Sequence, residues 1–358
     1  AGDGILKKNI FSGREMETEM KKLFGLMLGL VFSMAIFSGC SSSNQSATST
    51  YGESAEVKAA VLGSAEQFET REDFFIGMDL AISELKENGI NFSYEKLDDG
   101  KSRDSGVAMA KDVANSDKYT LAFTLQNDET VESVADIFDN AKKPLIIVNE
   151  VFDSTMNKGY EYVLAGVVSA ETAGKALANF CETNGIKWVA ASHSSTQYEN
   201  MLARGFNDMA MTNKSIYLAD STSGPYRISE FSGVWDRWNT LGVQAVLVSF
   251  DDVEWACELI NAIKSQNKDM VILGDAKFND LEMMSKYKDS LEGMIVAGSY
   301  GVASYEKIQA FYDKYEKQVM DERGFDITSV TAQAYDFVHM IAQNVRKSAD
   351  AQEFMKNM

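Results

Sequence analysis

Proline, histidine and cysteine are scarce in this chain, whose 358 residues include two, two and three of them. With only Pro144 and Pro225 as punctuation, helices must end on glycine instead, and Gly89, Gly185, Gly242 and Gly324 fall where left-handed caps are expected. The two histidines, His193 and His339, are far apart, and no cysteine has metal-ligand spacing, so neither a metal centre nor another cofactor is expected. His339 lies in a helical pattern, where a packing role is the expectation. Glycine-rich nucleotide loops are missing as well. Gly63-Ser64-Ala65-Glu66 offers one glycine where such loops need several. No nucleophile elbow occurs, and the neighbours Ser192, His193 and Ser194 are poorly placed to aim at one another and at Asp251 as a triad requires. An enzyme is therefore not expected. Basic residues number 34 against 53 acidic ones and form no cluster, which argues against a nucleic-acid partner and favours solubility as the role of the acidity. Cys181 and Cys257 sit inside helical patterns as small buried hydrophobes, with a disulfide between them left open.

One apolar run is present. Lys21 and Lys22 precede Leu23 to Phe37, and Ser38-Gly39-Cys40 follows. About fifteen residues are too few to span a bilayer comfortably. The segment resembles a bacterial lipoprotein signal peptide, with Phe37 where leucine is usual, and implies lipidation of Cys40 and an extracytoplasmic, membrane-anchored body. An uncleaved anchor and an ordinary secretory peptide are the alternatives. Residues 1–19 read as a non-native upstream segment, 20–39 as the signal peptide and 40–54 as a flexible polar tether. Removing the first 39 residues takes away five positive and four negative charges and leaves a net charge near −20. About 319 residues then remain, more than one core usually supports, so two lobes are expected.

From Glu56 onward, short β-branched runs alternate with longer amphipathic stretches. Strands are predicted at 56–62, 91–97, 119–125 and 144–148, with helices at 74–88, 105–114 and 131–142 between them. A second run after Gly166 predicts helices at 170–183, 198–211, 228–241 and 253–266, with strands at 188–192, 215–219, 243–250 and 270–274. A short strand at 293–297 and helices at 305–322 and 329–345 follow. Repeated βαβ units with short connections demand parallel sheets, so the fold class is α/β with two doubly wound lobes joined by a hinge.

The order of these elements carries a family resemblance. Val57 to Leu62 with Phe74 to Ala81, Leu97-Asp98-Asp99 with Ala108 to Val113, Ala191 to Tyr198, and Thr331 to Asp336 together resemble extracytoplasmic solute-binding proteins of the leucine/isoleucine/valine-binding type. That resemblance implies the type I periplasmic binding protein fold, a monomer without cofactor, and delivery of a small polar solute to ABC permease subunits. Delivery of a signal instead, by a sensing module of the same fold, is the alternative. Residues 55–166 with 298–346 would form the first lobe and 167–297 the second, hinged near Gly166 and Ala297. The family continues with strands beyond the point where this chain stops, so the resemblance implies a second lobe truncated after Met358.

Ligands of open α/β sheets bind outside the carboxyl ends of the strands. In the first lobe that rule nominates Gln67 and Phe68 after the first strand, Gln126 and Asn127 after the third, and Glu150 and Phe152 after the fourth. In the second it nominates Ser192, His193 and Tyr198, then Phe250 and Asp251, then Asp275 in the loop Asp275-Ala276-Lys277. Several have simpler readings, since Gln126-Asn127-Asp128, Ser192 to Ser195 and Asp251-Asp252 could merely cap helices, and Phe68 or Phe152 be loop aromatics. Tyr198 matches the ligand-contacting tyrosine of the family it resembles. That family's amino-acid binders hold the carboxylate with a Ser or Thr pair and the ammonium with an acidic residue. Gln126-Asn127 and Glu150-Val151-Phe152 depart from the pair, and Glu150, Asp251 and Asp275 would suit a cationic or hydroxyl-rich solute.

Overall fold

The computed structural model describes residues 50–126, 128–225, 227–279, 281–299, 306–324 and 327–358. The first lobe runs β1 (Val57–Gly63), α1 (Ala65–Thr70), α2 (Glu72–Glu87), β2 (Phe92–Asp98), α3 (Arg103–Ala114), β3 (Leu121–Thr124), α4 (Asp128–Asn140), β4 (Leu145–Ile147), α5 (Asp153–Met156) and β5 (Val163–Ala165). Its strands pair in parallel in the order β2-β1-β3-β4-β5. Because side chains alternate along a strand, β1 feeds two cores: Val57, Ala59 and Val61 pack with Phe74, Phe75 and Met78 of α2, while Ala60 and Leu62 pack with Val113 of α3 and Val134 of α4.

The second lobe repeats the plan with α6 (Ala170–Thr183), β6 (Trp188–His193), α7 (Gln197–Asn213), β7 (Tyr217–Thr222), α8 (Phe231–Leu241), β8 (Ala245–Ser249), α9 (Val253–Gln266), β9 (Val271–Gly274), α10 (Leu281–Lys286), α11 (Lys288–Leu291) and β10 (Ile295–Val296). The order is β10-β9-β8-β6-β7, again parallel. Cys257 packs on one face of this sheet with Trp238 and Ile260, and Cys181 on the other with Leu177 and Phe206. Both are buried free thiols, which answers the open disulfide question. Gly205 lets α7 approach α6 closely, since a Cβ there would run into the Glu171 carbonyl.

The chain then continues through α12 (Glu306–Arg323), α13 (Ser329–Lys347) and α14 (Ala351–Asn357). Helix α13 returns to the first lobe and adds Val338, Ile341 and Val345 to the core under α2. Gly77 of α2 permits this contact, because a Cβ there would overlap the Thr331 carbonyl oxygen. The expected glycine stops are present: Gly89, Gly185, Gly242 and Gly324 have φ of +72°, +71°, +70° and +71°. Five short helices escape the sequence pattern: α1, α5, α10, α11 and α14, with four to seven residues each, are too short to show a helical period. Residues 64–68 are accordingly no open loop, because Ser64 and Gln67 form a reciprocal capping box that starts α1.

Candidate functional site

The carboxyl ends of both sheets converge on one cavity of about 500 Å³. From the first lobe, Asn149 and Glu150 reach it just past β4, and Val167 and Val168 just past β5. From the second, Thr196, Gln197 and Tyr198 come from the start of α7, Asp251 from beyond β8, and Ala276 and Lys277 from beyond β9. Arg71, at the junction of α1 and α2, and Ser329, Val330 and Gln333, in the first turns of α13, close the wall on the first lobe's side. Ala297 to Ser299 lie at the crossing between lobes. There Gln333 Nε2 donates to the Gly166 carbonyl, and the Val168 N–H donates to Ser299 Oγ at 3.2 Å.

Lys277 organises the second lobe's side. Its ammonium donates to Glu199, which is fully buried, and to Asp251 at 3.1 Å, and it stands 5.0 Å over the Tyr198 ring. Burial acts to lower the Lys277 pKa, but Asp275, Glu199 and Asp251 outweigh it and hold the pKa above the ordinary value, so the group stays charged. Burial also pushes Glu199 above the usual carboxylate range, against the opposing pull of Lys277. Tyr198 is pushed up by burial and by the nearby acids, so its hydroxyl stays neutral. Asp275 is completely buried, and this raises its pKa; it accepts from Ser249 Oγ and, at 2.9 Å, from the Lys277 N–H.

On the first lobe's side the cation is Arg71. Its guanidinium makes no hydrogen bond or ion pair among the described residues, and Nε is shut off from solvent without a partner. Among the helices whose first turns reach the cavity, α13 is capped by Thr328, whereas α7 begins at Thr196 without a side-chain cap.

Of the residues nominated from sequence, Glu150, Tyr198 and Asp251 meet at this cavity. Gln67 and Gln126 line a separate, polar depression of about 330 Å³ in the first lobe. Gln67 donates to the Leu125 carbonyl at 2.6 Å, and Gln126 to Asp99 at 2.9 Å. Phe68, Phe152 and Phe250 are buried rather than presented to a ligand, because their side chains turn inward. Ser192 is buried and donates to the Gly224 carbonyl, while the His193 ring contacts the Ser194 carbonyl at 2.7 Å and Ser221 Oγ at 3.2 Å, so these two form no triad with Asp251. Asp252 is a cap for α9, accepting from the Trp255 N–H at 3.0 Å. His339 packs on Tyr335 and stands 3.3 Å from Glu84. Asn127, and Cys40 with the apolar run before it, lie outside the described residues. Among the described residues, no His/Cys/Asp/Glu group could hold a metal ion, and no helix is long and apolar enough to cross a membrane.

Arg71 and the role of Lys277 were missed in the sequence. Arg71 gave no signal, because it is at once the C-cap of α1, where a cation suits the macrodipole, and the N-cap of α2.

Residues 63–358 match the model of the family described as periplasmic binding protein. No curated protein matches the chain by sequence. Among solved structures it is similar to an ABC transporter substrate-binding protein from Desulfitobacterium hafniense in complex with Leu, at 20% identity and a TM-score of 0.65 over 84% of this chain and 87% of the other. It is similar to a branched-chain amino acid transporter substrate-binding protein from Streptococcus pneumoniae in complex with isoleucine, at 17% identity and 0.59 over 84% and 87%. It is also similar to an ABC transporter solute-binding protein from Rhodopseudomonas palustris in complex with 3,4-dihydroxybenzoic acid, at 15% identity and 0.64 over 85% of each chain.

Proposed function

This chain belongs to the periplasmic binding protein family, and on that premise we propose that it captures a small polar solute, an amino acid or related compound, in the cleft between its lobes and passes it to an ABC importer. Membership implies binding outside the cytoplasm, not catalysis. The protein works as a monomer, held to the membrane by lipid on Cys40 with residues 41–54 as the tether. Permease subunits are its partners.

The observation that carries this reading is a cavity lined by residues from the strand tips of both sheets. A ligand there touches both lobes at once, so its binding energy favours closure about the crossings at Gly166 and Ala297. The glutamine at 333 and the serine at 299 tie those crossings to the wall of the same cavity. In the named complexes the ligands are leucine, isoleucine and 3,4-dihydroxybenzoic acid, all within the size range that a cavity of about 500 Å³ accommodates.

Thermal unfolding of the purified chain against amino acids, organic acids, sugars, polyamines and nucleosides tests the reading. A ligand at 100 times its Kd stabilises by about 2.7 kcal/mol. One chemical class should raise the Tm, and Tyr198→Ala should abolish that rise. If no class shifts the Tm, capture of a solute is refuted.

A further inference from the structure

We infer that Asp153 is the clasp on which the lobes pivot, a positioning residue that sets the hinge-side wall of the cavity. This deepens the capture reading above and rests on it for the motion the clasp serves, whatever the class of solute. Asp153 opens α5, between β4 and β5, where Val151 and Met156 pack in the first lobe's core. Helix α6 belongs to the second lobe: Leu177 and Cys181 share a core with Phe206 of α7, and Gly174 lets the two helices meet. The Asp153 carboxylate reaches from one lobe to the other. It accepts from Ser169 Oγ, from Thr172 Oγ1 at 3.2 Å and from Lys175 Nζ, all at the start of α6. Ser169 Oγ in turn accepts from the Thr172 N–H at 3.1 Å, so one hydroxyl caps α6 and binds the clasp. In the other direction the Asp153 N–H faces the Glu171 carboxylate at 3.5 Å.

An exposed ion pair would count for little. This carboxylate is instead largely enclosed, its side chain 22% exposed, with three donors and the positive end of α6 directed at it. Burial acts to raise the Asp153 pKa, but hydrogen bonds from Lys175 and Ser169 outweigh it and hold the pKa below the ordinary value, so the group stays charged. The contact also sits where a pivot must. Ser169 follows the crossing at Gly166 by three residues, and Val168, next to it, donates to Ser299 of the other crossing. The cavity wall is built on the same two segments: Glu150 stands three residues before Asp153, and Ala173 lies between Thr172 and Lys175. Rotation about the crossings displaces a contact beside them far less than it displaces the strand tips, so closure keeps these bonds. Without them the lobes slide and twist as well as close, and the wall carrying Glu150 loses its fixed angle to the wall carrying Ala173.

Hydrogen–deuterium exchange of the purified chain, with no solute added, tests the clasp. Two amides report on the crossings: Val168, which donates to Ser299 Oγ, and Ala297, which donates to the Gly274 carbonyl at 3.1 Å and makes no bond to Asp153. Asp153→Ala should speed exchange at both by about tenfold or more, the loss of hydrogen bonds to a charged group, while the amides of β8 keep their parental rate. Lys175→Met removes one donor from a partly exposed site and should speed the same two amides by a smaller factor, and it carries the test if the alanine variant fails to fold. Acceleration confined to the first turn of α6 would make Asp153 a helix cap and overturn the assignment. Parental rates at Val168 and Ala297 would overturn it too, as would equal acceleration at β8, which marks a residue of general stability. A thermal screen in which no class of solute raises the Tm would refute capture and leave the exchange result standing, so the two readings fail separately.

Discussion

Replacing Lys277 by methionine keeps an unbranched side chain, one atom shorter, and removes its charge, which isolates the electrostatics of the second lobe. In the native protein the ammonium is paired with a carboxylate, Glu199, that has no solvent exposure, and with the exposed Asp251. Asp251 can turn to water, but Glu199 cannot. Removing one partner of a buried pair costs about 3–5 kcal/mol because the other charge stays behind uncompensated. Glu199 has one escape, which is to take up a proton. Burial already raises its pKa, and loss of Lys277, which pulls the other way, raises it further. A carboxyl raised on folding contributes stability that is complete below its unfolded pKa, about 4.3, and disappears as pH rises through the folded value. The Lys277→Met variant should therefore lie within about 2 kcal/mol of the parent near pH 5 and fall about 3–5 kcal/mol below it at pH 8. All four tryptophans, Trp188, Trp235, Trp238 and Trp255, belong to the second lobe, so urea unfolding followed by tryptophan fluorescence reports the relevant domain. Adding Glu199→Gln should restore about 2 kcal/mol at pH 8. Equal stability of variant and parent at pH 8, or a deficit that shrinks as pH rises, would refute this reasoning.

Gly205→Ala should destabilise the second lobe by about 1–3 kcal/mol in the same fluorescence assay, because the new methyl overlaps the Glu171 carbonyl. In the first lobe, burial raises the Glu84 pKa, but hydrogen bonds from Lys314, Tyr315 and Tyr335 outweigh it and bring it to about 2. A depressed carboxyl gives stability that is present above its unfolded pKa and lost as pH falls through the folded one, so Glu84→Gln should cost about 1–3 kcal/mol at pH 7 and only a small fraction of that near pH 2, measured by circular dichroism in urea. Burial pushes the Cys181 thiol up to about 12 and Cys257 up to about 11, so both should resist thiol reagents in the folded protein and react once urea exposes them. Fast modification of either in the folded state would contradict their placement on the two faces of the second sheet.

The fold was legible wherever an element had room for its period. Helices 170–183 and 253–266 coincide with α6 and α9 because fourteen residues show a full apolar stripe, and the strands, buried on both faces, stand out as β-branched runs. Helices such as α1 and α11 carry too few residues for that signal; α1 is held by its capping box, and α11, without a side-chain cap, by the packing of Tyr287 and Leu291 on the core. The strand-tip rule nominated Glu150, Tyr198 and Asp251, which line the cavity because topology alone delivers those loops to it. It could not tell which way a side chain turns, so Phe68, Phe152 and Phe250 were nominated although they face inward. Arg71 was invisible to it, since this residue comes from a helix junction, not directly from a strand end. The pairing of Lys277 with Glu199 joins residues 78 apart in sequence and is a product of packing.

A crystal structure of the chain with whichever compound most raises its Tm tests the central claim most directly. Electron density for that compound between Glu150 of the first lobe and Tyr198 of the second is the predicted result. Density elsewhere, or a cleft that holds no compound while the Tm is raised, would contradict it.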